Sequence, residues 1–150
     1  MEQMWKIYVS KFLIIITVFL ISVIFENVAL AWIGISKLDT GTFKTEVFLP
    51  FMLYTYFTSL QVASFMLLIS SLSENIWVTL GIGVGGFLSG MALVNTNDSY
   101  LMMLHPFIIM FKPAVAMSAD IDIVVICGAI IESIIFFSAG VFGSLVKKVE

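Results

Sequence analysis

The chain of 150 residues is 61% hydrophobic and only 11% charged, with a formal net charge of −3 and a mean hydropathy of +1.13. Soluble domains are about 45–50% apolar and about 25% charged, so this composition excludes a soluble globule and indicates a lipid environment. All seven basic residues are lysines that form no cluster, which excludes nucleic-acid binding, since that needs a basic stripe on one face.

The hydrophobic pattern predicts an all-α membrane protein, a polytopic helix bundle in a single transmembrane domain. A helix that crosses a bilayer needs about 20 mostly apolar residues. Four segments meet this length, at residues 12–35, 47–72, 76–94 and 123–146. The apolar region of a cleavable signal peptide is about 7–15 residues long, so we interpret the longer first segment as a retained span.

The residues before the first span mix aromatic and charged side chains, among them Trp5, Lys6 and Tyr8. This mixture is typical of a membrane–water interface. It is either an ordinary anchor for the first span or the end of an interfacial helix that contacts a cytoplasmic partner. Composition alone favours the anchor.

Two acidic residues lie inside predicted spans, Glu26 in the first and Glu132 in the last. An ionised acid at the centre of a bilayer costs about 2.5–3.5 kcal/mol on insertion scales. Such groups therefore face protein or water, or stay protonated. Each is a candidate for a polar tie between helices, or for a proton or substrate site. We favour the tie, because a proton relay needs a longer chain of acids.

The third span is rich in small residues over the sequence GIGVGGFLSG. Small residues four positions apart let helix backbones approach closely, and this packing drives helix association in lipid. We predict a helix–helix interface, within the chain or between chains, formed by Gly81, Gly85, Gly86 and Gly90.

An apolar segment at residues 100–118, between the third and fourth spans, contains His105, Pro106, Lys112 and Pro113. Each proline removes a backbone donor and disfavours helix at the preceding residue, and lipid cannot satisfy the freed carbonyl groups. We predict a Pro-broken re-entrant or interfacial pair of short helices held against protein; a fifth span is the alternative. The single histidine has no second His or Cys nearby, so no metal site and no cofactor are predicted.

The lysines predict the orientation of the chain in the cell membrane. Lys6 and Lys11 precede the first span, and Lys147 and Lys148 follow the last. Because lysine is enriched on the cytoplasmic side of membranes, we expect both termini there. An even number of crossings is then required, and four spans plus a re-entrant segment provide it.

The order of these parts resembles the membrane subunit of an ABC exporter of the type-2 permease class. It looks most like the permeases of lantibiotic- and bacitracin-resistance or immunity systems in Gram-positive bacteria. Residues 5–12, WKIYVSKF, look like the passage from the family's cytoplasmic coupling helix into a span. The polar turn at Glu74 and Asn75 before the glycine-rich span is similar to the family's middle helix pair. The Pro106/Pro113 segment and final span look like its re-entrant helices and last helix.

The resemblance covers nearly the whole chain and implies a function in transport. Paired permease chains, identical or different, would move or expel an antimicrobial peptide, drug or lipid, and a separate ABC ATPase would supply the energy. The ATPase-coupling surface implied for this chain consists of Trp5, Lys6, Tyr8, Glu74 and Asn75. Family members have two further spans before this point, so we expect a truncated or split permease, or a short relative that needs a partner chain.

Two other classes of function compete with the transporter. A stand-alone immunity or membrane-interaction protein would sequester or block a bacteriocin without ATP. A membrane-embedded enzyme would need Glu26, Glu132 and His105 in one water-filled cavity. The sequence contains no G-x-x-x-x-G-K-[S/T] phosphate loop, and we expect no serine to pair with a base. The sequence therefore favours a chain without a catalytic site of its own.

Overall fold

The computed structural model describes residues 4–37, 45–95, 105–116 and 121–146. These residues form five helices and no strand. We number the helices α1, Met4–Lys37; α2, Thr45–Leu72; α3, Ile76–Leu93; α4, Pro106–Ala116; and α5, Ile123–Val146. All except α4 are long and apolar enough to cross a membrane. The protein is therefore an all-α polytopic membrane bundle, as the sequence predicts.

The helix bounds agree closely with the predicted spans except at the start of α1. This helix begins at Met4 instead of residue 12, because the residues between these positions include no glycine or proline that would break it. With 34 residues, α1 is about 51 Å long at about 1.5 Å per residue. It therefore extends beyond a hydrocarbon core of about 30 Å.

Helix α2 is the centre of the bundle, since it packs against each of the other four helices and most extensively against α5. Tyr8 near the start of α1 lies against Gly140 near the end of α5. Leu72 at the end of α2 lies beside Gly143 of α5. The start of α1 and the ends of α2 and α5 therefore share one end of the bundle, which we call the terminal end.

A short turn joins α2 to α3 at the terminal end. Asn75 is the N-cap of α3, and its side-chain Oδ1 accepts a hydrogen bond from the Trp77 N–H at 2.9 Å. This bond satisfies one of the backbone donors that the first turn of a helix leaves free. The Asn75 N–H donates to the Ser73 hydroxyl at 3.2 Å. The turn is therefore fixed by its own polar side chains.

Helix α4 covers the middle of the predicted re-entrant segment. Pro106 is its first residue, a position at which the missing N–H of proline removes no helical bond. With 11 residues, α4 is about 16 Å long, which is too short to cross a bilayer. Pro113 lies inside α4 and does not end it, so only Pro106 acts as the predicted break. Residues 100–104, 117 and 118 of the segment lie outside the described residues.

The surface and the interior are reversed relative to a soluble protein. Phe25 is 77% exposed and Trp32 76% exposed on α1, whereas Thr58, Gln61 and Ser64 of α2 are fully buried. Large exposed apolar areas are rare on soluble monomers, and lipid removes the cost of exposing them. The polar interior, in contrast, requires hydrogen-bond partners within the bundle.

Candidate functional site

Four of the five predicted coupling residues are accessible at the terminal end of the bundle. Lys6 is exposed, and its ammonium group lies 5.9 Å from the centre of the Trp5 ring, which is a cation–π distance. Glu74 and Asn75 are exposed in the turn between α2 and α3. These side chains can meet a partner on the same side of the membrane.

Tyr8 departs from the predicted coupling surface because it lies inside the bundle. It is 4% exposed, and its ring packs over Gly140, where a side chain would overlap the Tyr8 hydroxyl. The ring of Phe137 lies 5.9 Å from the Tyr8 ring, centre to centre. The glycine at position 140 thus makes room for the tyrosine, and Tyr8 packs α1 onto α5 instead of facing a partner.

A cavity of about 370 Å³ opens at the terminal end between α1, α5, the end of α2 and the following turn. We call it the terminal cavity. Its charged side chains are Lys11 and Glu74, its hydroxyls include those of Ser70 and Ser73, and apolar residues such as Leu67 form the rest of the wall. Pockets that hold small molecules measure about 300–1,000 Å³, so this cavity has room for a small amphipathic group.

A second cavity, of about 190 Å³, lies farther along α1 between the same three helices. We call it the deep cavity. Its walls are apolar and include Phe12, Leu60 and Ile134. The Ser133 hydroxyl in its wall donates to the Ala129 carbonyl at 2.8 Å. The deep cavity therefore suits an apolar group.

The intramembrane acid Glu132 contacts a buried glutamine of α2. The Nε2 amide of Gln61 donates a hydrogen bond to Oε2 of Glu132. Gln61 is fully buried, and its Oε1 is a buried acceptor without a hydrogen-bond partner among the described residues. This contact is a polar tie between α2 and α5, the two helices that pack most extensively.

Gln61 is a site residue that the sequence reasoning missed, although a signal for it exists. Tyr54, Thr58, Gln61 and Ser64 recur three and four positions apart along α2, and all four are buried. Residues at this spacing share one face of a helix. A polar stripe inside an otherwise apolar span faces protein in preference to lipid, so this spacing alone indicates the buried face of α2.

The other intramembrane acid, Glu26, lies on the outer face of α1. Its side chain is exposed, whereas the next residue, Asn27, is 3% exposed and donates from Nδ2 to the Val23 carbonyl at 2.8 Å. Glu26, Glu132 and His105 line neither of the two cavities described above. The structure thus does not bring these groups into one of those cavities, as a membrane-embedded enzyme would require.

The four glycines of α3 that were predicted to form a helix–helix interface divide into a packed pair, Gly86 and Gly90, and an open pair, Gly81 and Gly85. An ideal Cβ atom at Gly90 would lie 2.7 Å from Cβ of Phe107 and 3.0 Å from its carbonyl carbon, and one at Gly86 would overlap the Phe107 ring. The same atom at Gly81 or Gly85 would meet nothing within 4 Å. In the predicted small-residue interface, Gly86 and Gly90 therefore pack against α4, whereas Gly81 and Gly85 contact no other described helix.

One serine does pair with a base, contrary to the expectation from sequence. Ser89 Oγ lies 2.9 Å from Nε2 of His105 and also donates to the Gly85 carbonyl at 2.8 Å. A hydrolytic triad needs a carboxylate at the second ring nitrogen, but Nδ1 of His105 is buried without a partner among the described residues. The contact joins α3 to the start of α4, and sequence reasoning missed it because the two residues meet only through this packing.

The remaining residues of the re-entrant segment singled out from sequence lie on α4. Pro106 and Pro113 are buried, and Lys112 is half-buried. Within residues 4–37, 45–95, 105–116 and 121–146, no group of three or more His, Cys, Asp or Glu residues could hold a metal ion.

Comparisons of the chain with protein-family models, with curated proteins and with solved structures give no match. The geometry of the described residues therefore carries the functional argument. Three features stand out: an open cavity at the terminal end, a buried polar tie in the interior, and an acid that faces outwards.

Proposed function

We propose that this chain is a membrane subunit of an ATP-driven transport complex. In this proposal it is the permease component of an ABC exporter, or a part of such a permease, and it moves an antimicrobial peptide, a drug or a lipid. ATP hydrolysis belongs to a separate subunit. The transport role comes from the resemblance to type-2 permeases, and the need for further subunits has support in the bundle itself.

The observation that carries the proposal is the outward position of Glu26. Its neighbours Phe25 and Val28 are 77% and 54% exposed, so this face of α1 has no covering helix among the described residues. Glu26 lies about 22 Å along the helix from Lys11, within the reach of a hydrocarbon core of about 30 Å. An acid in lipid costs up to about 2.5–3.5 kcal/mol, and a polar group on a partner helix would remove this cost.

The open glycine pair of α3 supports the same conclusion. Gly81 and Gly85 face open space, and only 6% of the apolar window of α3 is buried. A backbone free of side chains lets a second helix approach closely. In the proposed complex, α3 contacts a second permease chain, which is another copy of this chain or a different one.

The terminal end of the bundle is the cytoplasmic end in this proposal. Lys6 and Lys11 lie near the start of α1 at this end, and lysine is enriched on the cytoplasmic side of membranes. The ATPase would bind Trp5, Lys6 and the exposed turn at Glu74 and Asn75. Tyr8 is excluded from this surface by its burial.

Affinity purification of the tagged chain from detergent-solubilised native membranes, followed by mass spectrometry, tests the proposal. We expect a nucleotide-binding subunit and a second permease chain in fixed stoichiometry. Glu26→Leu should lower recovery of the permease chain several-fold. The matched control Ser22→Ala, one turn earlier on the same exposed face, should leave it unchanged. Lys6→Glu combined with Glu74→Lys should lower recovery of the ATPase alone.

Reproducible recovery of the chain by itself, from membranes that contain such ATPases, would contradict the transporter. That outcome would favour the stand-alone immunity or interaction protein. If Glu26→Leu leaves recovery of the permease chain unchanged, Glu26 does not bind a partner helix. The inference that a second subunit contacts α1 would then be contradicted.

A further inference from the structure

The two cavities follow one another along the same three helices. The terminal cavity is lined by residues of α1 up to Lys11, and the deep cavity begins at Phe12. Phe137 of α5 contacts the rings of both Tyr8 and Phe12, at centre-to-centre distances of 5.9 and 4.4 Å. The α1 residues that line the two cavities run from Met4 to Ile16, which is about three helical turns. Phe137 lines the deep cavity and contacts Tyr8 in the wall of the terminal cavity. We call the two cavities together the α1–α2–α5 seam.

The two cavities differ in polarity: the terminal cavity has charged and hydroxyl groups in its wall, and the deep cavity is almost entirely apolar. This matches the polar head and apolar chain of an amphiphile. The terminal cavity carries one cation, Lys11, one anion, Glu74, and several serine hydroxyls. Neither charged side chain makes an ion pair or a hydrogen bond with another residue that the structure describes. The deep cavity offers almost only apolar surface. A ligand that fits both therefore carries opposite charges at one end and a hydrocarbon chain at the other.

We infer that the α1–α2–α5 seam binds one phospholipid whose headgroup carries a phosphate and a primary ammonium group. The phosphate accepts hydrogen bonds from the Lys11 ammonium group, and the ammonium group of the lipid donates to Glu74. The hydroxyls of Ser70 and Ser73 donate to the carbonyls of Leu67 and Asn75, so the two charged side chains carry the recognition. An acyl chain enters the deep cavity between Phe12 and Ile134. A headgroup with both charges matches Lys11 and Glu74, whereas a purely anionic lipid offers no cation to Glu74. This inference does not depend on transport or on an ATPase.

Native mass spectrometry of the purified full chain tests the binding site. The chain is reconstituted in vesicles of phosphatidylcholine that contain equal small fractions of phosphatidylethanolamine and phosphatidylglycerol, and the retained lipids are then counted. We expect one phosphatidylethanolamine molecule retained in preference to both other lipids. Lys11→Gln should lower total retention about tenfold, the size of one charge-assisted hydrogen bond. Glu74→Gln should remove the preference for phosphatidylethanolamine over phosphatidylglycerol, and the total amount of retained phospholipid should stay unchanged.

Three further variants keep the test decisive. Lys11→Arg keeps the charge and should retain the lipid, which separates lost charge from lost folding. Lys37→Gln removes an exposed lysine at the opposite end of α1 and should change nothing. Ile134→Trp fills the deep cavity and should lower retention several-fold. Equal retention of the three lipids by the unchanged chain, or an equal loss with Lys37→Gln and Lys11→Gln, would overturn the inference.

Discussion

Replacing Gly90 of α3 with alanine tests how α4 is held in the bundle. An ideal Cβ atom at this position lies 2.7 Å from Cβ, 3.0 Å from the carbonyl carbon and 3.1 Å from the carbonyl oxygen of Phe107. Two of these atoms belong to the backbone of α4, so no side-chain rotation relieves the overlap. One of the two helices must move, and the packing of the buried Phe107 side chain is then disturbed.

The expected effect follows from two opposing terms. Overpacking of a filled interior costs about 1–3 kcal/mol, whereas glycine to alanine inside a helix gains about 1 kcal/mol. Gly85→Ala receives the same gain without the overlap, because nothing lies within 4 Å of that position. The free energy of unfolding should therefore be about 1–3 kcal/mol lower for Gly90→Ala than for Gly85→Ala.

Titration of the purified chain with SDS in mixed micelles measures this difference. Tryptophan fluorescence reports the transition, and Trp77 lies on the same helix as both substitutions. Gly85→Ala is the matched control, since it makes the same change on the same helix. Equal unfolding midpoints for the two variants would refute the close approach of α3 to Phe107.

Two further predictions concern hydrogen bonds and use the same titration. Gln61→Leu should lower the free energy of unfolding by about 1 kcal/mol, because it leaves the Glu132 carboxyl without its partner. Adding Glu132→Leu should recover the loss, since removing both partners is nearly neutral; no recovery would argue against a direct tie. Asn75→Ala should cost about 1 kcal/mol through loss of the α3 cap, whereas Asn75→Asp should retain the cap. Equal losses for these two variants would mean that capping is not the role of Asn75.

The spans were predictable because their cause is local. Bilayer thickness sets the length of an apolar run, so three of the four predicted spans start and end within two residues of α2, α3 and α5. Helix α1 begins eight residues before the predicted first span, because residues 4–11 contain nothing that ends a helix. The hydropathy of a segment predicts which part of a helix lies in lipid. The residues at which the helix begins and ends depend instead on helix-breaking residues such as glycine and proline.

The candidate site was only partly predictable. Glu132 was identified because a carboxyl group inside a span is rare, but its partner Gln61 lies 71 positions away and is brought to it by helix packing. Tyr8 was assigned to the coupling surface by the resemblance to type-2 permeases, but the structure buries it. The small residue that buries it, Gly140, lies on the last helix of the chain.

The sequence by itself determined that this protein is helical, that it lies in a membrane, and which segments are long and apolar enough to cross it. Only the tertiary structure decided which face of each helix is covered. Glu26 is exposed beside the buried Asn27, and Gly85 is open beside the packed Gly86. The physical reason is that lipid and a neighbouring helix are equally apolar. Hydrophobicity therefore marks both faces of a span alike, and steric fit and hydrogen bonding between helices select the face that is buried.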